Sequence, residues 1–467
     1  MNAILSAVPI MLFGTGIFYM FRLRGFYWLH PIRCLRALRE RPTEGGISSA
    51  RALTVALAGT LGVGNIVGVA SALWLGGPGA VFWMLVSALV AMVLKYAEIT
   101  LAMRHRRILP PAAEGKPPSY AGGAPYYMAD GLAARGAPRA GRVAAAVFAV
   151  LCLANAVTMG GILQVNAVAG AMEEAFSVPP LVVGAGSATL AVVAARGGAR
   201  RISALTEKLV PIMTVGFLVA CFAVIWMRRE RVGDALSAVW QDVCAPAGVS
   251  GGLAGFLLSR GVRYGAMRGL VSNEAGCGTA PMAHVTADTD SPAKQGLFGI
   301  IEVFVDTVLL CTVTALAILV SDSGYTAYGD DAVRTAQAAF SSVLGRGADA
   351  FFAISILCFG VATVLCWAHY GSSAVGYLSN RPTAQGVFLG VFAASLVAGA
   401  VTAPAVVWNL ADVSIGIMTI QNLAVLILMR REVAEETSVL MKSYEGKRRR
   451  KGANSLSDER TDSQKRA

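Results

Sequence analysis

The run Gly59–Gly68 (GTLGVGNIVG) places four glycines and one asparagine in the middle of an apolar stretch. A glycine-rich break in a membrane helix frees carbonyl groups for a cation and N–H groups for a carboxylate. Helix packing through Gly64 and Gly68 is the alternative, but packing does not explain Asn65 at the same depth. The spacing does not match a dinucleotide-binding fingerprint. We therefore predict that this segment lines a binding cavity.

A second stretch, Arg260–Pro281 (RGVRYGAMRGLVSNEAGCGTAP), combines glycine, asparagine and glutamate beside another apolar segment. This composition predicts a second discontinuous helix, followed by a cytoplasmic elbow. Broken backbone at membrane depth is tolerated only where it lines a cavity or is buried in protein. The two breaks are therefore the first candidates for a binding site.

The elements that carry these breaks belong to a chain of 467 residues that is 55% hydrophobic and only 15% charged. Soluble domains carry about 25% charged residues, so a soluble enzyme, a disordered chain and a fibrous protein are excluded. Hydrolase, nucleotide-binding and zinc motifs are absent from the sequence. Apolar runs long enough to cross a bilayer predict an all-α integral membrane protein with about eleven transmembrane helices: Ile4–Phe21, Ala52–Leu75, Ala80–Met103, Val143–Met172, Leu181–Ala195, Leu209–Met227, Gly248–Leu270, Leu297–Val320, Ala350–Leu378, Gly386–Val401 and Pro404–Met429.

The distribution of basic residues predicts the orientation of the chain. The formal net charge is +12, but Lys and Arg lie between the apolar runs and in the tail, which favours a lipid bilayer and no nucleic acid as partner. Every odd-numbered span ends on a basic segment. We therefore predict a multi-pass protein of the cell (inner) membrane, with the N-terminus outside and the C-terminus in the cytoplasm. The acidic loop Ser321–Gly347 is predicted outside, and Arg228, Arg229 and Arg231 are the exception to this bias.

The chain divides into four predicted segments: an extra N-terminal helix with a basic loop (1–51), a first half of five spans (52–227), a linker with a second half of five spans (228–429), and a basic tail (430–467). Five spans per half means that the second half enters the membrane from the opposite face. Interrupted first helices in two such halves are typical of an inverted-repeat secondary transporter. The tail is predicted to begin as a helical extension at Arg430 and to end disordered over Ser455–Ala467. Its run Lys447–Lys451 (KRRRK) is predicted to be a positive-inside anchor, with headgroup binding as the alternative.

Three runs of the sequence resemble a known family. They are GTLGVGNIVGVASALWLGGPGAVFWM, RYGAMRGLVSNEAGCGTAPMAH and VVWNLADVSIGIM, and the similarity extends in order from about Arg22 to Met429. All three resemble the alanine or glycine:cation symporter family. The resemblance implies a LeuT-like five-plus-five inverted repeat preceded by one extra helix. It also implies uptake of a small neutral amino acid, alanine or glycine, driven by inward sodium.

The resemblance also implies which residues form the site. The substrate positions of the family fall on Gly62, Val63, Gly64, Asn65, Gln164, Asn166, Thr363 and Trp367. The sodium positions fall on Gly62, Asn65 and Thr363, and no cofactor besides this coupling ion is expected. Thr363 and Trp367 are one helical turn apart, so both can face one cavity. Interhelical hydrogen bonding is the alternative for Gln164 and Asn166, and ordinary aromatic packing is the alternative for Trp367.

Several positions depart from the family pattern. Val63 and Ala362 stand where the family usually has threonine and serine. Cys366, Ser372 and Gln421 replace a glycine, a glutamate and a proline. Hydroxyls lost from a sodium shell predict weak sodium binding. The choice among alanine, glycine and serine, and the oligomeric state, stay open at this point.

Carboxylates inside the predicted spans offer an alternative to sodium. Glu302 and Asp306 are one helical turn apart, and Asp412 lies in the last span. Intramembrane carboxylates are functional candidates by default, so a proton-coupled amino acid transporter is the rival interpretation. Lys95 and Glu98, three residues apart, are predicted to form a structural ion pair. A membrane-embedded amino acid sensor is a further alternative, although a tail of about 38 residues is short for an output domain.

Overall fold

The computed structural model describes most of the chain as a bundle of helices. The described residues are 2–29, 31, 32, 35, 48–109, 119–196, 198–244, 259–345, 347–379 and 381–443. Three predictions fall outside them: the disordered end at Ser455–Ala467, the role of the run Lys447–Lys451, and the first part of the seventh span, residues 248–258.

Helices dominate the first half because a helix satisfies its backbone groups within the segment. They are α1 (Asn2–Arg22), α2 (Phe26–Leu29), α3 (Ser49–Thr60), α4 (Val67–Gly76), α5 (Gly79–Arg104), α6 (Ala124–Ala133), α7 (Pro138–Val157), α8 (Leu163–Phe176), α9 (Pro180–Arg196) and α10 (Gly198–Met227). A π-helical turn, Thr158–Ile162, joins α7 to α8. Between α5 and α6, strands β1 (Arg107–Leu109) and β2 (Ser119–Ala121) pair antiparallel, with Ile108 opposite Tyr120. The predicted helical class is confirmed apart from this short ribbon.

The second half is built in the same way. Its helices are α11 (Val232–Val243), α12 (Arg260–Asn273), α13 (Pro281–His284), α14 (Pro292–Val303), α15 (Thr312–Val320), α16 (Ala332–Leu344), α17 (Gly347–Leu378), α18 (Pro382–Ala400) and α19 (Pro404–Leu428). A π-helical segment, Phe304–Cys311, joins α14 to α15. The acidic loop Ser321–Gly347 contains α16, which buries Phe340 in the bundle. A last helix, α20, covers residues 430–443, so the predicted helical extension is confirmed.

Within the described residues, seven helical segments are long and apolar enough to cross a bilayer: Gly79–Arg104, Pro138–Phe176, Lys208–Met227, Pro292–Val320, Gly347–Leu378, Pro382–Ala400 and Pro404–Leu428. Ser6–Arg22, Val67–Gly76 and Pro180–Ala195 are apolar but shorter. These segments coincide with predicted spans, so a multi-pass helical membrane protein is confirmed. The total of eleven spans stays a prediction.

The first break lies where it is predicted. Helix α3 ends at Thr60, a 3-10 turn covers Val63–Asn65, and α4 begins at Val67. Gly62 enters this turn with extended backbone, at φ −123° and ψ −160°. A Cβ atom at Gly62 would lie only 2.6 Å from Thr363 Oγ1. Close approach of α17, and not a left-handed backbone, is therefore what requires glycine here.

The second break follows α12, again as predicted. Glu274 ends the helix in the left-handed conformation, at φ +53°, and Gly276 and Gly278 have φ +94° and +82°. Glycine adopts such angles without strain, so the GCG run lets the chain turn twice before α13 begins at Pro281. Glu274 has no such freedom, and a strained non-glycine residue at a buried break is typical of a functional site.

Ion pairs hold α20 and the α10–α11 connection to the bundle. Arg135 Nη1 lies 2.9 Å from Glu432 Oε1, and His105 Nε2 lies 2.7 Å from Glu432 Oε2. Burial raises the pKa of Glu432, but hydrogen bonds from His105 and Arg135 bring it below its usual value. On the other connection, Arg228 donates hydrogen bonds to Asp322, which lowers the pKa of that carboxyl. This pairing gives Arg228 a structural role in a loop that is predicted to lie outside, where the distribution of basic residues does not favour arginine.

Candidate functional site

Four of the predicted site residues meet at the first break. Thr363 Oγ1 donates to the carbonyl of Ala58, in the last turn of α3, at 3.1 Å. The N–H of Val63 donates to Gln164 Oε1 at 3.0 Å. A Cβ atom at Gly62 would touch both Thr363 Oγ1 and Gln164 Oε1. We call Gly62, Val63, Gln164 and Thr363 the break cluster.

The break cluster lies between two helix ends of opposite polarity. The carboxyl end of α3 carries partial negative charge, and the amino end of α4 carries partial positive charge. No side chain caps the amino end of α4 at Ile66. A cation therefore suits the α3 end, where the oxygens of Ala58 and Thr363 lie, and a carboxylate suits the α4 end.

Asn65 connects the first break to a second group of polar residues. Its Oδ1 accepts from the N–H of Gly62 at 3.0 Å, and its Nδ2 donates to Ser272 Oγ at 2.9 Å and to Asp306 Oδ1 at 2.7 Å. Asp306 Oδ2 accepts from the hydroxyls of Ser272 and Thr307, each at 2.6 Å. We call Asn65, Ser272, Asp306 and Thr307 the Asp306 cluster. The amide of Asn65 thus bridges Gly62 of the break cluster and the Asp306 cluster.

Trp367 lies fully buried between the two halves of the chain. Its Nε1 donates to Glu274 Oε1 at 3.1 Å, and Thr279 donates to Glu274 Oε2 at 2.6 Å. On the other side, a Cβ atom at Gly160 would lie 2.1 Å from Trp367 Cγ, so only glycine leaves room for the indole. The π-helical turn around Gly160 was not apparent from the sequence. Glu274 is not among the site residues predicted from the sequence. The signal that could have identified it is its place in the SNEAG run, where a charged residue follows a predicted broken helix.

Two predicted site residues make structural contacts. Asn166 Nδ2 donates to the carbonyls of Gly399 at 2.9 Å and Thr402 at 2.7 Å. This is the interhelical hydrogen bonding that stands as the alternative for Asn166. A Cβ atom at Gly64 would lie 3.4 Å from Ser272 Cα, an ordinary contact distance, so Gly64 packs against the end of α12.

The predicted ion pair between Lys95 and Glu98 is wrong. Lys95 Nζ lies 3.1 Å from Glu302 Oε1 and 2.7 Å from the carbonyl of Asn273, with both charged side chains fully buried. Helix α14 packs on α5 and brings Glu302 to the lysine. Glu98 instead accepts from Asn422 Nδ2 at 2.5 Å.

Glu302 also contacts residues to which the sequence analysis assigns no role. His284 Nε2 lies 3.1 Å from Glu302 Oε2, and Gln295 Nε2 lies 2.8 Å from His284 Nδ1. Thr60, the last residue of α3, donates to Glu302 Oε1 at 3.4 Å. Lys95 and Glu302 therefore tie the carboxyl ends of both broken helices to α5 and α14.

The contacts of Arg268 explain how this arginine is tolerated inside the seventh predicted span. Its Nη1 lies 2.5 Å from Asp412 Oδ1 and its Nη2 lies 3.1 Å from Asp412 Oδ2. The guanidinium lies 4.2 Å from the centre of the Trp408 ring, and its Nε donates to Ser71 Oγ at 3.2 Å. Such bidentate, stacked pairing is how a buried arginine is stabilised.

Apolar spanning helices, broken at buried polar residues in both halves of the chain, define a membrane transporter. The family model of the sodium:alanine symporter family matches residues 1–458. The chain belongs to this family, and the family predicted from the sequence is confirmed.

Several relatives are similar to the chain over most of its length. The chain is 34% identical over 437 residues to the sodium/alanine symporter AgcS of Methanococcus maripaludis, covering 92% of both chains. It is 34% identical over 422 residues to the amino-acid carrier protein AlsT of Bacillus subtilis, covering 90% of this chain and 86% of the relative. It is also 34% identical over 428 residues to the probable sodium/glutamine symporter GlnT of the same organism, covering 91% and 85%.

A solved structure shares the fold. The manganese transporter of Eremococcus coleocola, in complex with an aromatic bis-isothiourea substituted compound, superposes with a TM-score of 0.50 at 14% identity. The match covers 80% of this chain and 76% of that one. At this identity the likeness concerns the fold alone.

Proposed function

We propose that this protein carries a small neutral amino acid, alanine or glycine, into the cell together with sodium by alternating access. Residues 52–227 and 228–429 then form the two inverted repeats of a LeuT-like core, preceded by α1. The basic ends of the odd-numbered spans support an outer N-terminus and a cytoplasmic C-terminus. The observation that carries the proposal is the break cluster, where a cation and a carboxylate each find a helix end of suitable polarity.

Sodium binds at the carboxyl end of α3 on this proposal. Hard cations take oxygen ligands, and Thr363 Oγ1 and the Ala58 carbonyl already lie 3.1 Å apart there. Gly62 adds backbone oxygen to the same place. Asn65 holds Gly62 in position through its 3.0 Å hydrogen bond.

The amino acid binds on the other side of the break. Its carboxylate faces the amino end of α4 beside Val63 and Gly64, and the oxygen of Gln164 is an acceptor for its ammonium group. A Cβ atom at Gly62 would collide with Thr363 Oγ1 and Gln164 Oε1, so glycine keeps the backbone of the break close to both side chains. Trp367 closes the site from α17.

Labelled alanine uptake into proteoliposomes tests the proposal. We expect accumulation under an inward sodium gradient and none under a proton gradient alone, because the break cluster offers neutral oxygens for a cation. Thr363→Val should remove most of the uptake by taking one sodium ligand. Thr189→Val is the matched control, since its exposed hydroxyl donates only to the Ala185 carbonyl in its own helix.

The opposite pattern would overturn the sodium assignment. Uptake that continues unchanged in sodium-free buffer and follows the imposed pH gradient would establish the proton-coupled alternative. An equal loss of alanine uptake in Thr363→Val and Thr189→Val would show that Thr363 is not a sodium ligand.

Restoring a family hydroxyl should strengthen sodium binding. Ala362 is fully buried next to Thr363, and we expect Ala362→Ser to tighten the apparent sodium affinity by about 1 kcal/mol, the contribution of one hydrogen-bond-scale contact. The measurement is the sodium concentration for half-maximal alanine uptake. Ala353→Ser, at another buried position of α17, serves as the control. An unchanged or weaker sodium dependence in Ala362→Ser would refute this expectation.

A further inference from the structure

A groove lies between the end of α1 and the helix α20. It has a volume of about 510 Å³ and is lined by Arg22, Arg431, Ala434, Glu435, Ser438 and Val439. Arg22 is the last residue of α1, and the other five residues belong to α20. We call this the α1–α20 groove. Ligand sites typically have volumes of about 300–1,000 Å³, so the groove is large enough for a small polar group such as a lipid headgroup.

The three carboxylates of α20 are already paired with basic residues of the bundle. Glu432 forms the ion pairs described above for α20. Arg104 Nη1 lies 2.9 Å from Glu435 Oε2 and 3.4 Å from Glu436 Oε1. Glu435, which lines the α1–α20 groove, is therefore neutralised from α5 and does not balance the arginines of the groove.

The two arginines of the groove are exposed, and they come from separate elements. Within the part of the chain that the structure describes, no ion pair joins Arg22 or Arg431 to a carboxylate. Arg24, just beyond α1, and Lys442, in α20, are exposed as well. The positive charge around the groove therefore favours an anionic ligand.

Exposed apolar side chains beside the groove indicate that it lies at the surface of the bilayer. Phe21 is 81% exposed, and Trp28 in α2 is 47% exposed. On α20, Val439 is 65% exposed. Tryptophan at the end of an apolar helix is typical of the headgroup region. On the proposed orientation this end of α1 faces the cytoplasmic leaflet, which carries anionic lipids.

A phospholipid suits this combination of residues better than a soluble anion does. The guanidinium group of arginine donates two parallel hydrogen bonds to a phosphate, and Ser438 adds a hydroxyl donor in the groove. A free phosphate would use only these polar groups. The acyl chains of a lipid would also cover the exposed side chains of Phe21 and Val439.

We propose that the α1–α20 groove binds the headgroup of an anionic phospholipid, with Arg22 and Arg431 as the phosphate ligands. The site needs neither sodium nor an amino acid, so the inference goes beyond the proposed function. A phosphate held by both arginines ties α20 to α1, in addition to the ion pairs that tie α20 to α5. Because such a lipid binds the folded protein and not the unfolded chain, it stabilises the fold.

Thermal unfolding of the purified full-length protein in detergent, titrated with phosphatidylglycerol, tests the site. We expect this anionic lipid to raise the unfolding temperature of the wild type more than the zwitterionic phosphatidylcholine does. The apparent dissociation constant of phosphatidylglycerol should rise about fivefold in Arg22→Gln and in Arg431→Gln, the equivalent of about 1 kcal/mol for each arginine. Arg142→Gln is the matched control, because this exposed arginine of α7 does not line the groove.

Three results would overturn the proposal. An equal shift with phosphatidylcholine would show that the charge of the headgroup is not recognised. An equal shift with inorganic phosphate alone would assign the groove to a free anion. An unchanged response to phosphatidylglycerol in the double variant Arg22→Gln/Arg431→Gln would place the lipid elsewhere, for example at the run Lys447–Lys451. Both arginines are exposed, so we expect the variants to unfold at the wild-type temperature when no lipid is added. Labelled alanine uptake is a separate measurement, and its failure would refute the proposed function without changing the lipid response.

Discussion

Replacing Lys95 by methionine is expected to destabilise the folded protein by about 3–5 kcal/mol, the effect of leaving a buried carboxylate without its cation. Lys95 Nζ lies 3.1 Å from Glu302 Oε1, and neither side chain reaches solvent. The substitution also removes the donor to the Asn273 carbonyl, at the end of α12. Thermal and denaturant unfolding of the purified protein in detergent measure the change in free energy.

A double-variant cycle isolates the ion pair from other effects of the substitution. Lys95→Met with Glu302→Gln removes both charges and keeps the hydrogen bonds to Thr60 and His284, so we expect it to recover most of the lost stability. Arg334→Met provides the control at the exposed pair with Glu174, where water screens the charges and little change is expected. Strict additivity of the two single substitutions would contradict a coupled Lys95–Glu302 pair.

The position of Lys95 also bears on the transport cycle. Thr60 and Asn273 are the last residues of α3 and α12, and both lie against the Lys95–Glu302 pair. The carboxyl ends of two helices carry partial negative charge, so the ammonium of Lys95 favours their approach. A conformation that separates the broken helices has to break this contact.

The sequence predicts those features of the fold that depend on one segment alone, such as a membrane span or a break in a helix. About 20 apolar residues suffice to predict a span, and the glycine-rich runs predicted both breaks because only interrupted helices explain polar residues there. The π-helical turn at Gly160 packs against the Trp367 indole of a distant helix, and this contact could not be predicted from either segment alone. Periodicity within one helix does not reveal which helices meet.

The site could be predicted only in part for the same reason. Family resemblance grouped Gly62, Gln164 and Thr363, and the three residues lie together in the break cluster, whereas their binding of substrate or sodium stays a prediction. The spacing of Lys95 and Glu98 allowed a local pair, but Glu302, from a helix far along the chain, is the partner. Pairs between distant elements require the tertiary structure.

Replacing Trp367 by alanine is expected to widen the substrate range toward valine and leucine and to lower alanine uptake. Each methylene that fits a pocket contributes about 0.8 kcal/mol, whereas one that meets a packed wall costs about 1–3 kcal/mol. The buried indole is held by Glu274 on one side and by Gly160 on the other, so it is rigid enough to serve as the wall of the proposed site. On the proposed function, its removal also loses the closure that excludes water from the site. Competition of labelled alanine uptake by a panel of amino acids, at matched surface expression, measures both effects.

A second variant separates the wall from the overall stability of the protein. Deleting a buried tryptophan to alanine lowers stability by about 3–5 kcal/mol, so reduced uptake alone does not identify a pocket. Trp367→Phe keeps most of the ring volume but loses the hydrogen bond to Glu274, and we expect it to retain the wild-type ranking with reduced uptake. The ranking of competitors is independent of the amount of folded protein, and it therefore decides the question. If leucine competes as well as alanine in the wild type, or if Trp367→Ala keeps the wild-type ranking, another side chain forms the wall that limits substrate size.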